Sequence, residues 1–402
     1  MLSKEKFVEL LDKIKSPFHF VELARDLLKS KGFVELDESK KWENIPEKFF
    51  VVREERSLIA GILSSKDTGI FIGGHIDYPG FRIKPNTENV KDNLQICQTM
   101  KYGAPLDHTW FDHDLGIAGI VSYKNNDKIE QKLIKTGAVA IIPNISCYLQ
   151  RSKSAKLPPI VPIFGSADGS AKLQDIIANE VGCKPEEIVS YDLRFYDVNP
   201  TLFPTFDGDL IGGQGLDDLC CSIPLLDAFV NYAQPREKSC FVCFYDNEEI
   251  GSVTPFGARS DFISSTISRL GLSPTFYSNS YFVSTDVVHG HHYQYKDMTV
   301  TGAECILGEG IGFMWSPQDA TAANPELFAL VDSIAKKNNV VIAKYFHPHG
   351  GYTISRHIAP SLGIKAIDIG VPLLAMHSIR EYGAFVDIQS FHRLIISLYA
   401  NL

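Results

Sequence analysis

Residues 239–252, SCFVCFYDNEEIGS, set the terms for the whole chain. An unbroken apolar run from Cys240 to Tyr245 is the pattern of a strand buried on both faces, as in sheets covered by helices above and below. The run stops abruptly at Asp246, Asn247, Glu248 and Glu249, ahead of Gly251. Two adjacent carboxylates thus stand at a strand's carboxyl end, the edge of an open α/β sheet where loops form a ligand crevice. Acids aimed at one crevice repel each other and persist with a cation between them or a proton on one of them. Asp-Asn-Glu-Glu before glycine is also ordinary turn chemistry, so ligands elsewhere must decide between a metal site and a solvated turn.

At 402 residues the chain has room for two domains, or for one large domain carrying an insertion. Its 45% hydrophobic and 22% charged residues are those of an ordinary soluble globular protein. A net charge of -9 without clustered Lys and Arg argues against nucleic acid as a partner. The opening MLSKEKFVELLDKIK has no signal-type apolar core, and no stretch approaches the ~18 consecutive apolar residues of a membrane span, so a cytoplasmic protein without membrane contact is expected. Of eight cysteines, Cys220, Cys221, Cys240, Cys243 and Cys305 lie in apolar runs, which suits reduced, buried thiols. The Cys240-x-x-Cys243 pair lacks a second pair at zinc-site spacing.

Amphipathic helices are predicted over residues 3–15 and 21–31, followed by short strands at 48–52, 57–63 and 69–74. The last strand leads into His75-Ile76-Asp77. In a metal site such a His binds through one ring nitrogen while a nearby carboxylate accepts the proton of the other. Between residues 91 and 205 the texture becomes short alternating runs (117–123, 137–142, 159–164) with one helical segment at 171–180, the signature of a mostly β insertion. Gly212-Gly213-Gln214-Gly215-Leu216-Asp217-Asp218 then precedes an apolar helix over 219–230. Two acids at a helix N-terminus also suit capping. Residues 281–286 repeat the order of apolar strand then carboxylate, at Asp286, with His289, His291 and His292 close behind. A helix over 325–337, strands at 340–343 and 366–370, the turn His347-Pro348-His349, the stretch LLAMHSIRE with His377, and a helix over 388–398 complete the chain. Strands alternating with helices on both sides of the insertion predict an α/β/α domain on a mixed sheet, residues 1–90 and 206–402, interrupted by a β-rich domain at 91–205.

Four strand ends and one further loop thus deliver His75 with Asp77, Asp217, Glu248 with Glu249, Asp286, and His377. Together they form an imidazole and carboxylate set of the kind that binds two zinc-like ions with positions left open for water and substrate. One aspartate bridging the ions leaves each with one His and one further carboxylate. A remaining acid is then free to act as general base.

HIDYPGFRIKP, LDDL, DNEEIGS, STDVVHGHH and LAMHSIRE, with SPFHFVE near the start and HTWFDHDL in the insertion, resemble the aspartyl aminopeptidase family of dinuclear zinc exopeptidases, in that family's order and over nearly the whole chain. The resemblance implies that His75, Asp217 and Asp286 hold one ion and that Asp217, Glu249 and His377 hold the other. Glu248 is then the general base and Asp77 the partner of His75. It implies release of the N-terminal residue from a peptide substrate with a free amine. It further implies two divalent ions, zinc most directly with cobalt or manganese as substitutes, and a homo-oligomer that in the family is a dodecamer.

The departures concern specificity. Asp218 replaces an asparagine, and Tyr148 replaces a histidine that in the family is associated with a neighbouring subunit's active site. Residues 310–315 carry no lysine where the family has a lysine-containing stretch linked to the substrate's acidic side chain. The family's Gly-Ser-Thr-Ile-Gly-Pro turn becomes residues 351–356, so Arg356, or His357 beside it, is the candidate replacement cation. His289 is expected beside the site as a substrate or oxyanion contact, and His349 in the pocket lining. The same residues also fit a dinuclear-metal deacylase, a carboxypeptidase-type hydrolase, or a retired enzyme kept as a scaffold.

Overall fold

The computed structural model describes residues 2–149, 159–166, 172–234, 237–298, 304–316, 322–346 and 352–402. The chain divides into two compact units, residues 1–78, 202–376 and 381–402 in the first, and 79–201 with 377–380 in the second.

The first unit is built on a nine-stranded sheet. Its order is Val34–Glu35, Lys48–Arg53, Ser57–Ile62, Ser239–Tyr245, Gly69–His75, Tyr281–Thr285, Lys365–Gly370, Ile311–Trp315 and Ile342–Phe346. Ser239–Tyr245 runs parallel to Gly69–His75 and antiparallel to Ser57–Ile62, so the sheet is mixed. Every residue of Ser239–Tyr245 and of Gly69–His75 is buried, because both faces are covered. Alternate residues enter separate cores, as the period of two in a strand requires. Ile70, Ile72, Val242 and Phe244 face one core with the helices Lys4–Lys13, Pro17–Ser30, Leu216–Tyr232, Pro325–Lys337 and Phe385–Asn401. Phe71, Phe241, Cys243 and Tyr245 face the other with Phe262–Arg269 and Ser355–Leu362. The Phe71 and Phe241 rings stack at 4.4 Å, sealing the second interface. The arrangement is α/β/α.

A smaller four-stranded sheet in this unit runs Leu210–Gly213, Glu381–Ala384, Pro372–Leu374, Val288–His289. Leu210–Gly213 leads into the segment that carries Asp217, and Val288–His289 follows Asp286.

The second unit is mostly β. Its strands run Asn89–Lys91, Leu94–Ile96, Ile163–Ser166, Ala140–Ile141, Asp114–Asn125, Ile188–Asp197, Gly80–Ile83 and Thr99–Tyr102, with Lys128–Lys135 paired to Asp114–Asn125. Gly80–Ile83 pairs with Thr99–Tyr102 and with Arg194, and so belongs to this sheet although it precedes residue 90. The helix Leu173–Val181 and the core of Trp110, Leu115, Ile117, Val121, Leu193 and Phe195 complete it. The Lys128–Lys135 strand gave no sequence signal because it is charged and almost wholly exposed. Among the described residues no helix is long and apolar enough to cross a membrane.

Candidate metal centre

The strand register assembles the site. Tyr245 pairs with His75, and Ser284 with Gly73, so three parallel strands end nearly level and release Asp77, Glu248 and Asp286 from one edge. Asp217 arrives from the turn before the Leu216–Tyr232 helix. His75, Asp77, Asp217 and Asp286 are buried, while Glu248 and Glu249 are half-buried. His75 Nε2 stands 3.3 Å from Asp217 Oδ1 and 3.5 Å from Asp286 Oδ1. Ligand atoms of His75, Asp217 and Asp286 lie within 4.8 Å of one another, as do those of His75, Glu248 and Glu249.

Such crowding is electrostatically costly without a cation. Removal from water raises the Glu248, Glu249 and Asp218 carboxyls well above the usual range, and His75 only partly counters the repulsion from neighbouring acids. Asp286 is raised for the same first reason. Burial opposes charge on His75, yet Asp286, Asp217 and Asp77 around it hold its pKa well above the ordinary imidazole value. A divalent ion among these nitrogen and oxygen donors would relieve both effects, and the donor set fits zinc.

Local structure explains how each group is held. Asn247 and Gly251 take left-handed backbone conformations at either end of the Glu248–Ile250 turn, which suits an asparagine and a glycine. Asp77 grips that turn, accepting from the Glu248 N–H at 3.1 Å and the Glu249 N–H at 3.2 Å. The closer partner of His75 Nδ1 is the Asp77 main-chain oxygen at 3.0 Å, with the carboxylate at 3.6 Å. One residue therefore orients both the imidazole and the paired glutamates. Beneath the turn, Asp246 is fully buried against the Arg56 guanidinium at 2.8 Å. The rings of Phe18 and Phe256 lie against that guanidinium.

Asp217 and Asp218 keep non-helical dihedrals inside the helical segment, after Gly215 in a left-handed conformation with the Tyr78 ring against it. Asp218 Oδ2 accepts from the His75 N–H at 3.3 Å and lies 3.4 Å from the Ser222 hydroxyl, which donates to the His75 carbonyl at 2.8 Å. Gly370 must lack a side chain, since a Cβ there would fall 1.3 Å from the Asp286 carbonyl oxygen.

The remaining predicted residues have the following settings. His377 belongs to the second unit, with φ 68 and its Nδ1 3.1 Å from the Ala104 carbonyl. His289 is exposed, its ring 6.4 Å from that of Tyr345. Tyr148 is 92% exposed in a loop of the second unit. Arg356 lies in the first turn of Ser355–Leu362 with its guanidinium 3.9 Å over the Tyr352 ring. Burial, then Arg259 and Arg356, lower the pKa of His357. His347 and His349 fall outside the described residues. Sequence reasoning missed Glu381, whose buried carboxylate accepts the Asp217 N–H at 3.0 Å. Glu381 closes the LAMHSIRE stretch, which could have marked it, although no hydrophobic periodicity does.

An α/β/α sheet with a buried imidazole and carboxylate set at its carboxyl edge defines a metal-binding protein of the hydrolase type. The family described as aminopeptidase I zinc metalloprotease (M18) matches residues 10–399, and the chain belongs to this family of metallopeptidases. It is similar to a probable M18 family aminopeptidase 2 from Clostridium acetobutylicum, 33% identical over 95% of both chains. It is also similar to an aspartyl aminopeptidase from Caenorhabditis elegans, 29% identical over 99% of this chain and 95% of the relative. Its fold superposes on the mApe1 dodecamer structure from S. cerevisiae with a TM-score of 0.88 at 24% identity, covering 98% of this chain and 96% of that one.

Proposed function

We propose that the protein is a dinuclear zinc aminopeptidase that releases the N-terminal residue of peptides. His75, Asp217 and Asp286 would hold one ion, and Asp217, Glu249 and His377 the other, with cobalt or manganese as substitutes. Such ions would supply Lewis-acid polarisation of the scissile carbonyl and acidify the attacking water. Glu248 would take the proton of that water and deliver it to the leaving amine. Asp77 would keep Glu248 and His75 in place through the contacts already described.

The observation that carries this reading is the surplus of acid. Asp77, Asp217, Asp218, Glu248, Glu249, Asp286 and Glu381 make seven carboxylates, against the four positive charges of two divalent ions. The excess favours a substrate group that is itself positive, as a free α-ammonium is. A carboxypeptidase-type site would instead need a cation for the substrate carboxylate. A retired scaffold would be expected to shed costly buried carboxylates, while a deacylase shares the ligand set and differs in the substrate end it takes.

The aspartyl activity named for the nematode relative supports a preference for acidic N-terminal residues, with Arg356 as the candidate cation and His289, His349 and Tyr148 as further candidate substrate contacts. The yeast dodecamer supports a homo-oligomer of twelve, with the β-rich unit as its assembly domain. Eight free cysteines support a reducing, cytoplasmic setting. Hydrolysis of an aminoacyl anilide panel by the zinc- or cobalt-loaded protein, compared with N-blocked analogues, tests the reading. Cleavage confined to free-amine substrates and abolished by Glu248→Gln is expected, and preferential cleavage of the blocked compounds would replace it with a deacylase.

A further inference from the structure

We propose that Glu381 is a positioning residue that holds Asp217 by its backbone and thereby governs the affinity of both metal positions. The assignment rests on the dinuclear reading above. Glu381 is 1% exposed, and its Oε2 accepts the Asp217 N–H at 3.0 Å across 164 residues of sequence. Its strand, Glu381–Ala384, pairs with Leu210–Gly213 so that Glu381 stands opposite Gly213, four residues before Asp217. The sheet thus sets where the carboxylate sits, and the carboxylate sets where the ligand begins.

Asp217 needs such a hold. With φ -79 and ψ 110 it lies outside helical geometry within the Leu216–Tyr232 segment, so helix hydrogen bonding does not define its backbone. The side chain that follows is the one assigned to both ions, and a small displacement there changes both coordination spheres at once. A plain helix-terminus charge effect would require only negative charge at Glu381, whereas a positioning role requires an acceptor at the right reach. Two conservative variants separate these requirements. Glu381→Gln keeps the reach and an acceptor oxygen but removes the charge. Glu381→Asp keeps the charge and is one methylene too short.

The test is zinc titration in competition with a chelator on the wild type and both variants, with thermal midpoints of the metal-free proteins and anilide kinetics alongside. Glu381→Asp is expected to weaken both zinc ions together by about 10–100-fold, with kcat falling and KM nearly unchanged, while the metal-free midpoint stays close to wild type. Glu381→Gln is expected to bind both ions nearly as the wild type does. Wild-type affinity in the Asp variant, equal weakening in the Gln variant, loss of one ion only, or a metal-free midpoint that falls in step with affinity would each overturn the assignment. Zinc binding is read apart from turnover. A wild type that binds two ions and cleaves nothing would sink the aminopeptidase reading and leave Glu381 decided on affinity alone.

Discussion

In the proposed mechanism Glu248 carries the chemistry of the turn and Asp77 its placement. Replacing Glu248 by Gln keeps its size and removes its capacity to take a proton, so turnover is expected to fall by about 10²–10⁴-fold, the usual worth of general base catalysis. Zinc content by elemental analysis should be unchanged in that variant, and a loss of metal would move Glu248 from base to ligand. Asp77 accepts from two successive backbone N–H groups, which a single amide oxygen cannot reproduce. Asp77→Asn is therefore expected to lower kcat by about 10–100-fold, with substrate binding little altered. An Asp77→Asn enzyme with wild-type kcat would show that the turn is held by other contacts.

At the scale of elements, the Ser239–Tyr245 strand and the turn after it share one foundation. Arg56, on the turn that joins Lys48–Arg53 to Ser57–Ile62, reaches Asp246 across 190 residues with its guanidinium between two phenyl rings. Arg56→Met would leave a fully buried carboxylate without its cation, at a cost of about 3–5 kcal/mol. A urea midpoint unchanged by that substitution would mean that the Asp246 carboxylate is held well enough by Asn247, whose backbone N–H and side-chain amide donate to its Oδ1 at 2.8 and 2.9 Å.

For the molecule as a whole, metal binding and folding are linked through the acids. Folded-state values of Glu248, Glu249, Asp218 and Asp286 lie above their ordinary 4.5 and 3.8, and that of His75 lies above 6.5. In each case the folded state binds more protons than the unfolded chain once pH exceeds the unfolded value. Stability of the metal-free protein therefore falls as pH rises from about 4 through neutrality. Differential scanning calorimetry of the chelated protein should show its midpoint decreasing between about pH 5 and 8, and excess zinc should reverse the trend by binding the deprotonated set. A metal-free midpoint that rose over that range would contradict the electrostatic account of the site.

What the sequence by itself determined was local. Unbroken apolar runs, with acids or an imidazole at their carboxyl ends, marked Gly69–His75, Ser239–Tyr245 and Tyr281–Thr285 as buried strands and marked His75, Glu248, Glu249 and Asp286 as their products. Resemblance extended that set to particular roles for Asp217 and His377. Tertiary structure decided what holds these groups: the Asp77 carboxylate on the Glu248 and Glu249 amides, Arg56 beneath Asp246, and Glu381 behind Asp217. Each of these contacts spans more than 160 residues and joins backbone or buried charge to a single side chain. No periodicity encodes such a pair, because its partners meet only after the sheet has set their register.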